Sequence, residues 1–322
     1  MSRLDDQTQA LLDRLRELSG GVRVDMRDLP IEMVREGARQ TWLALAGKDT
    51  ARCKIRSVEI PREDDPASEP LPARLYRPID AAGSVPLVVY FHGGGWVMGD
   101  LDSYEPMVKA LCESSGCMIL SVDYRLAPEH PFPAGLEDAA CAVEWALDHA
   151  DRIECQADAI AVSGDSAGGN LAAVVAWQLG RTRPGALRGQ FLIYPMLDVA
   201  SDHSSYKSRR DFGAGEYLLA NNDIDAVTDW YITDSTAHND SRVSPLFAPE
   251  PERFPPTVIV SAGFDPLSSE GNRFAERLDQ AGVACQQNCF ETTIHAFMSF
   301  GDLDVAVEGR RWLAAQIRHL LS

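Results

Sequence analysis

Apolar positions along the chain follow two periods, and they change over at identifiable points. Near the start, Leu4, Leu11, Leu15 and Leu18 recur at close to helical spacing, and Gly20-Gly21 closes the run. Asp28-Leu29-Pro30 opens a second helical pattern, with Ile31, Val34, Ala38 and Leu45 on one stripe and an end at Gly47. Two helices before any strand read as an accessory unit. Strand patterns follow at 53–60 and 72–76, spaced as an antiparallel lead-in around the acidic turn Arg62-Glu63-Asp64-Asp65-Pro66. Strands at 86–91, 117–122, 159–162 and 190–194 then alternate with helical patterns at 104–114, at Leu136, Ala140, Val143 and Leu147, and at 170–179.

From Asp198 to about Ser244 the rhythm breaks into a polar, acidic stretch carrying Tyr206, Phe212, Tyr217, Trp230 and Tyr231. It resumes with a strand at 257–261, a helix near 271–281, a strand at 284–290 and a last helix through Ala306, Leu313, Ile317 and Leu320. This alternation predicts an α/β fold with a mostly parallel sheet covered on both faces. The interrupting stretch is expected over the carboxyl edge of the sheet, where such folds place their sites.

Composition narrows the function classes. Hydrophobic residues make up 45% and charged residues 24% of the 322 positions, which excludes a collagen-like or disordered chain. With 30 basic against 48 acidic residues the net charge is −18, and such a chain repels a polyanion, so no nucleic-acid partner is expected. Seven cysteines show no pairing pattern, and the start, Met1 to Asp6, is charged where a secretory signal needs an apolar core. Free thiols in the cytoplasm are therefore expected. Uncharged stretches such as 166–180 contain glycines and fall short of the ~20 residues that cross a bilayer, so no membrane partner is expected. Cys285 and Cys289 would share a strand face, but nothing completes a tetrahedral set around them. No metal or cofactor is expected.

Two glycine-rich motifs carry candidate chemistry. Gly164-Asp165-Ser166-Ala167-Gly168 lies between a strand and a helix. That context puts Ser166 on a sharp turn, exposed as a nucleophile at a helix N-terminus. His92-Gly93-Gly94-Gly95-Trp96 ends an earlier strand, and its backbone N–H groups, unobstructed by Cβ atoms, suit an oxyanion hole. No Gly-Lys-Ser/Thr follows, which argues against a phosphate loop. His92, standing before the donors, reads as a residue that shapes the loop.

A serine nucleophile needs a base, and the base needs an orienting acid. His319 belongs to the last amphipathic helix, and His203 and His238 to the interrupting stretch. His295, in a loop after the final strand, is the best candidate. For the acid, Asp265 follows a strand between Gly263 and Pro266, with Asp198 and Glu270 as competitors; Asp165 adjoins the serine but should diverge from it. The order Ser166, Asp265, His295 is that of the α/β hydrolases.

With these residues placed, the chain resembles the hormone-sensitive-lipase-like carboxylesterases of the α/β hydrolase superfamily over residues 1–322. The resemblance rests on His92-Gly93-Gly94-Gly95-Trp96, Asp123-Tyr124-Arg125-Leu126-Ala127-Pro128-Glu129, Gly164-Asp165-Ser166-Ala167-Gly168-Gly169-Asn170, Asp265-Pro266-Leu267 and His295. It implies Ser166 as nucleophile, His295 as base and Asp265 as acid. It also implies an oxyanion hole from the N–H groups of Gly94, Gly95 (or Gly93) and Ala167. The Asp123–Glu129 block would be a buried structural network. The implied organisation is an α/β hydrolase core at 51–197 and 247–322, with a helical cap from 1–50 and an insertion at 198–246. Two positions depart from the family: Ser268-Ser269 stands where charged residues are common, and His295-Ala296-Phe297 where His-Gly-Phe is common.

The expected activity is hydrolysis of small carboxylic esters, short-chain over long-chain, through an acyl-enzyme. An amidase or formamidase would use the same triad. A non-catalytic receptor on this fold would characteristically lack the histidine, which is present here as His295. The resemblance also implies a possible homodimer through the edge of the last strand, at 284–290.

Overall fold

The computed structural model describes residues 3–62 and 69–322. The acidic turn expected at 62–66 lies outside the described residues apart from Arg62. Among the described residues, eight strands form one sheet in the order β1-β2-β4-β3-β5-β6-β7-β8. β1 (Cys53–Ile60) pairs antiparallel with β2 (Leu71–Pro78), and β2 antiparallel with β4 (Met118–Val122). From β4 onward, β3 (Val85–Phe91), β5 (Cys155–Asp165), β6 (Gly189–Ile193), β7 (Thr257–Phe264) and β8 (Cys285–Ile294) are all parallel.

Alternate residues of the central strands face opposite layers, as a two-sided sheet requires. Val89 and Phe91 of β3 pack into a core shared with α4 (Ala134–Asp148), α5 (Ala167–Thr182) and α8 (Ser268–Gln280). Val88 and Tyr90 pack into the opposite core with α1 (Asp6–Leu18), α3 (Leu101–Ser115) and α9 (Asp304–Leu321). Each fully buried leucine or valine in these layers contributes about 1.5–3 kcal/mol of transfer free energy.

Several boundaries extend beyond the sequence pattern for local reasons. β5 begins four residues before the expected 159, because the exposed Gln156 and Asp158 mask its start. α3 begins at Leu101, not 104, because Asp100 caps it: its carboxylate accepts the Ser103 N–H at 2.7 Å. α2 (Ile31–Leu45) follows Pro30 as the pattern predicts. The stretch at 198–246 folds as α6 (Lys207–Phe212), α7 (Asn221–Tyr231) and short 3₁₀ turns.

Arg35 of α2 ties this N-terminal helix to the sheet side. It donates to the carbonyls of Val97 and Ala127 at 2.8 and 2.9 Å, and to both oxygens of Glu129. The 123–129 block is only partly the buried network expected. Arg125 does donate to the buried Asp138 at 2.9 Å, but Glu129 is about half exposed, since its partner Arg35 reaches it across the surface. No helix among the described residues is long and apolar enough to cross a membrane.

Candidate active site

Strand ends deliver the candidate residues to one place. β5 runs directly into Ser166, whose φ of 53° and ψ of −118° mark a strained turn before α5. Such a conformation costs on the order of 1–3 kcal/mol for a non-glycine residue and persists because the surroundings over-determine it. Here the Ser166 N–H donates to the Ile193 carbonyl at 2.9 Å. Gly168 lets the turn close, since a Cβ there would sit 2.0 Å from the Phe91 carbonyl oxygen.

The structure brings Ser166, His295 and Asp265 together. His295 Nε2 lies 3.0 Å from Ser166 Oγ, and Nδ1 lies 2.8 Å from Asp265 Oδ2. A carboxylate cannot donate, so the Nδ1–H donates to Asp265, and Nε2 is left to accept from the Ser166 hydroxyl. Asp265 is fully buried and held in turn by the Leu267 N–H, which donates to Oδ1 at 2.8 Å. The Tyr194 ring packs against the imidazole at 4.9 Å between centroids.

The two competing acids are occupied elsewhere. Asp198 accepts the N–H groups of Ala200 and Ser201 at 2.8 and 2.9 Å and the Tyr206 hydroxyl. Glu270 accepts the N–H groups of Leu197 and Asp198 at 3.0 and 2.6 Å and pairs with the buried Arg209 at 3.1 Å. Burial, with Asp198 nearby, pushes the Glu270 carboxyl up to about 7 despite that guanidinium. His203 is 2.8 Å from Asp225, and His319 is exposed on α9.

The glycine loop after β3 is organised by a residue the sequence reading set aside. Asp165 does diverge from Ser166. Its Oδ1 accepts from the Tyr90 hydroxyl and the Gly93 N–H, both at 2.7 Å, and Oδ2 from the Tyr104 hydroxyl at 3.2 Å. Burial nevertheless pushes its carboxyl up to about 6. The Gly93 N–H is therefore committed to Asp165, while Gly94, Gly95 and Ala167 remain of the set the sequence suggests for an oxyanion hole. His92 is buried between Tyr104 and Tyr124, its Nδ1 2.8 Å from the Gly93 carbonyl, and burial drives its pKa down to about 4, which keeps it neutral. From the other side α7 packs directly on the loop: Trp96 stacks on Tyr231 at 4.4 Å, and a Cβ on Gly95 would lie 2.5 Å from Val227.

Above Ser166 and His295 lies a cavity of about 290 Å³ with mostly apolar walls. Ala38 and Trp42 of α2 form one side, and Leu218, Leu219 and Ile224 of the 198–246 stretch another.

A family model described as the alpha/beta hydrolase fold matches residues 88–299. The chain belongs to the α/β hydrolase family. It falls in the hormone-sensitive-lipase-like group, as its relatives indicate. It is similar to carboxylic ester hydrolase LipN of Mycobacterium tuberculosis, 42% identical over 256 residues, covering 77% of this chain and 65% of that protein. It thus spans about two-thirds of the length of LipN. Carboxylesterase NlhH of the same organism is 33% identical over 289 residues, covering 85% of this chain and 89% of that one. Among solved structures, an ester-hydrolase from the metagenome of Lake Arreo, complexed with a bipyridine phosphonate derivative, superimposes with a TM-score of 0.92 at 31% identity over 98% of each chain.

Both departures from the hormone-sensitive-lipase-like pattern have local consequences. Ala296 sits at φ 63°, a left-handed conformation that glycine adopts without cost. Ser269 forms a reciprocal pair with Ser208 at the start of α6. The Ser208 N–H donates to Ser269 Oγ at 3.0 Å, and the Ser269 N–H to Ser208 Oγ at 3.1 Å. The Ser208 hydroxyl also donates to the Pro266 carbonyl at 2.6 Å. The acid-bearing loop is thereby pinned to α6.

Proposed function

We propose that the protein is a serine carboxylic ester hydrolase that cleaves short-chain esters through an acyl-enzyme. The observation that carries this reading is the hydrogen-bonded line from Asp265 through His295 to Ser166, at 2.8 and 3.0 Å, under an apolar cavity. Ser166 Oγ attacks the ester carbonyl carbon as its proton passes to His295 Nε2, and Asp265 stabilises the imidazolium. The N–H groups of Gly94, Gly95 and Ala167 donate to the developing oxyanion, aided by the N-terminus of α5. Collapse of the intermediate breaks the bond to the alcohol oxygen, which takes the proton from Nε2 and leaves. Water, deprotonated by the same nitrogen, attacks the acyl-serine; collapse breaks the acyl–Oγ bond, Oγ takes the proton back from Nε2, and the carboxylic acid leaves, restoring Ser166.

Residues 1–50 and 198–246 serve as a cap over a core of 51–197 and 247–322, and an apolar cavity of only about 290 Å³ favours short acyl chains over long ones. The free thiols of Cys53, Cys112, Cys117 and Cys155 suit a cytoplasmic location, and the outer edge of β8, which no strand covers among the described residues, suits a homodimer. Wild type and Ser166→Ala are assayed on a soluble butyrate ester, an aryl butyramide and emulsified long-chain triglyceride. The butyrate ester should be cleaved fastest and by wild type alone. Faster cleavage of the amide or the triglyceride, or full activity in Ser166→Ala, would overturn the reading.

A further inference from the structure

The cavity wall at Leu218–Asp223 is tied to its own stretch by the Ala214–Ala220 bridge and by the Asn221 amide, which donates to the Arg209 carbonyl at 3.0 Å. It is braced from outside by Arg23, which does not itself line the cavity. Residues 19–25 connect α1 to the short turn that carries Met26, which does line it. This strap has little apolar anchorage: Val22 and Val24 are 65% and 52% exposed. Between them, Arg23 reaches into the 198–246 stretch. Its guanidinium donates to the carbonyls of Gly215 and Leu218 at 3.1 Å and pairs with the Asp223 carboxylate. Gly215 leaves room for it, since a Cβ there would approach Cζ to 3.0 Å.

The acceptors are not casual surface groups. Leu218 has a φ of 78°, the left-handed region, so the backbone that presents Leu218 and Leu219 to the cavity is strained. Asp223 also accepts the Ala220 N–H at 2.9 Å and so fixes the start of α7, the helix that packs on the glycine loop. A planar guanidinium matches several fixed acceptors at once, which an ammonium does not. A second link, Arg27 to Asp229 at 3.5 Å, is exposed on both sides and of the kind that contributes little, whereas Arg23, as exposed as Arg27, meets a carboxylate only 15% exposed.

We propose that Arg23 is a specificity-determining latch: by joining the strap to Gly215, Leu218 and Asp223 it fixes the far wall of the cavity and limits the length of ester chain admitted. The proposal rests on the ester hydrolase reading above. Without the latch the Leu218–Leu219 wall gives way, and longer chains enter while the reacting groups stay in place.

The test compares wild type, Arg23→Ala and Arg23→Lys on soluble p-nitrophenyl butyrate and decanoate, with hydrogen exchange of the 214–224 amides measured on the same proteins. The decanoate-to-butyrate ratio of kcat/KM should rise about tenfold or more in Arg23→Ala, the discrimination a hydrophobic wall exerts on chain length. Its kcat on butyrate should stay within about twofold of wild type, as expected when only uniform binding changes. Arg23→Lys should fall between, and the 214–224 amides should exchange faster in Arg23→Ala. An unchanged ratio overturns the proposal, whatever the exchange does. If wild type cleaves neither ester, the hydrolase reading fails on its own, and exchange then decides whether the latch exists: unchanged exchange overturns it.

Discussion

Replacing Asp265 with asparagine should abolish most activity while leaving the fold intact, and the structure dictates why. Oδ1 of Asp265 accepts the Leu267 N–H at 2.8 Å, and Oδ2 accepts the His295 Nδ1–H at 2.8 Å. In Asp265→Asn only the amide oxygen can accept from Leu267, so the NH₂ group must face the imidazole. Nδ1 then has to accept, and the ring proton moves to Nε2, which points at Ser166 Oγ 3.0 Å away. A protonated Nε2 cannot take the serine proton. The same wrong tautomer in serine proteases lowers kcat by about 10⁴, equivalent to about 5 kcal/mol of barrier. The assay is kcat and KM on a soluble butyrate ester, with the thermal midpoint measured alongside. KM and the midpoint should move little. Asp198→Asn is the control: its carboxylate bonds Ala200, Ser201 and Tyr206 rather than the imidazole, so the loss should be roughly tenfold at most, through placement of the cap. A kcat for Asp265→Asn within tenfold of wild type would refute the reasoning, as would a larger loss in Asp198→Asn.

Two further outcomes follow from strain and burial. Ala296→Gly should raise stability by about 0.5–1 kcal/mol, because relief of a left-handed alanine, about 1–2 kcal/mol, exceeds the entropy that glycine adds to the unfolded chain; a lower thermal midpoint would contradict this. Glu270 binds its proton more tightly in the folded state, its pKa raised from the ordinary 4.5 to about 7. Its contribution to stability is therefore fully present below pH 4.5 and is lost as pH rises through 7. Urea unfolding of Glu270→Gln between pH 4.5 and 8 should show a flatter fall than wild type, and an equally steep one would count against the assignment.

The parts of the site that were legible in the sequence are those where local backbone and chemistry coincide. Gly164, Ser166 and Gly168 encode a strand-to-helix turn in five residues, and the two glycines let it close, since a Cβ on Gly164 would lie 2.3 Å from the Gly168 backbone and one on Gly168 2.0 Å from the Phe91 carbonyl oxygen. His295 and Asp265 were legible as loop residues after predicted strands, since strand order in a parallel sheet brings such loops to one edge. What escaped was what depends on side chains meeting from distant segments. Asp165 looked like a bystander, yet its carboxylate takes the Gly93 N–H and fixes the glycine loop from beneath. Ser269 read only as a missing charge, because its partner Ser208 lies 61 positions away. Arg23 carried no pattern at all. Its meaning is set by carbonyl groups of the 198–246 stretch, and backbone acceptors leave no trace in the sequence.

The central claim is that Ser166 forms the covalent intermediate, and a p-nitrophenyl alkylphosphonate tests it directly. Its phosphorus is attacked as the ester carbon would be, p-nitrophenolate leaves, and the stable phosphonyl-serine that remains can be located by peptide mass spectrometry. The account predicts release of one equivalent of p-nitrophenolate per chain, an adduct on Ser166, and loss of ester hydrolysis in proportion to labelling. Ester hydrolysis that persists with Ser166 fully labelled, or inactivation with the adduct on another residue, would contradict it.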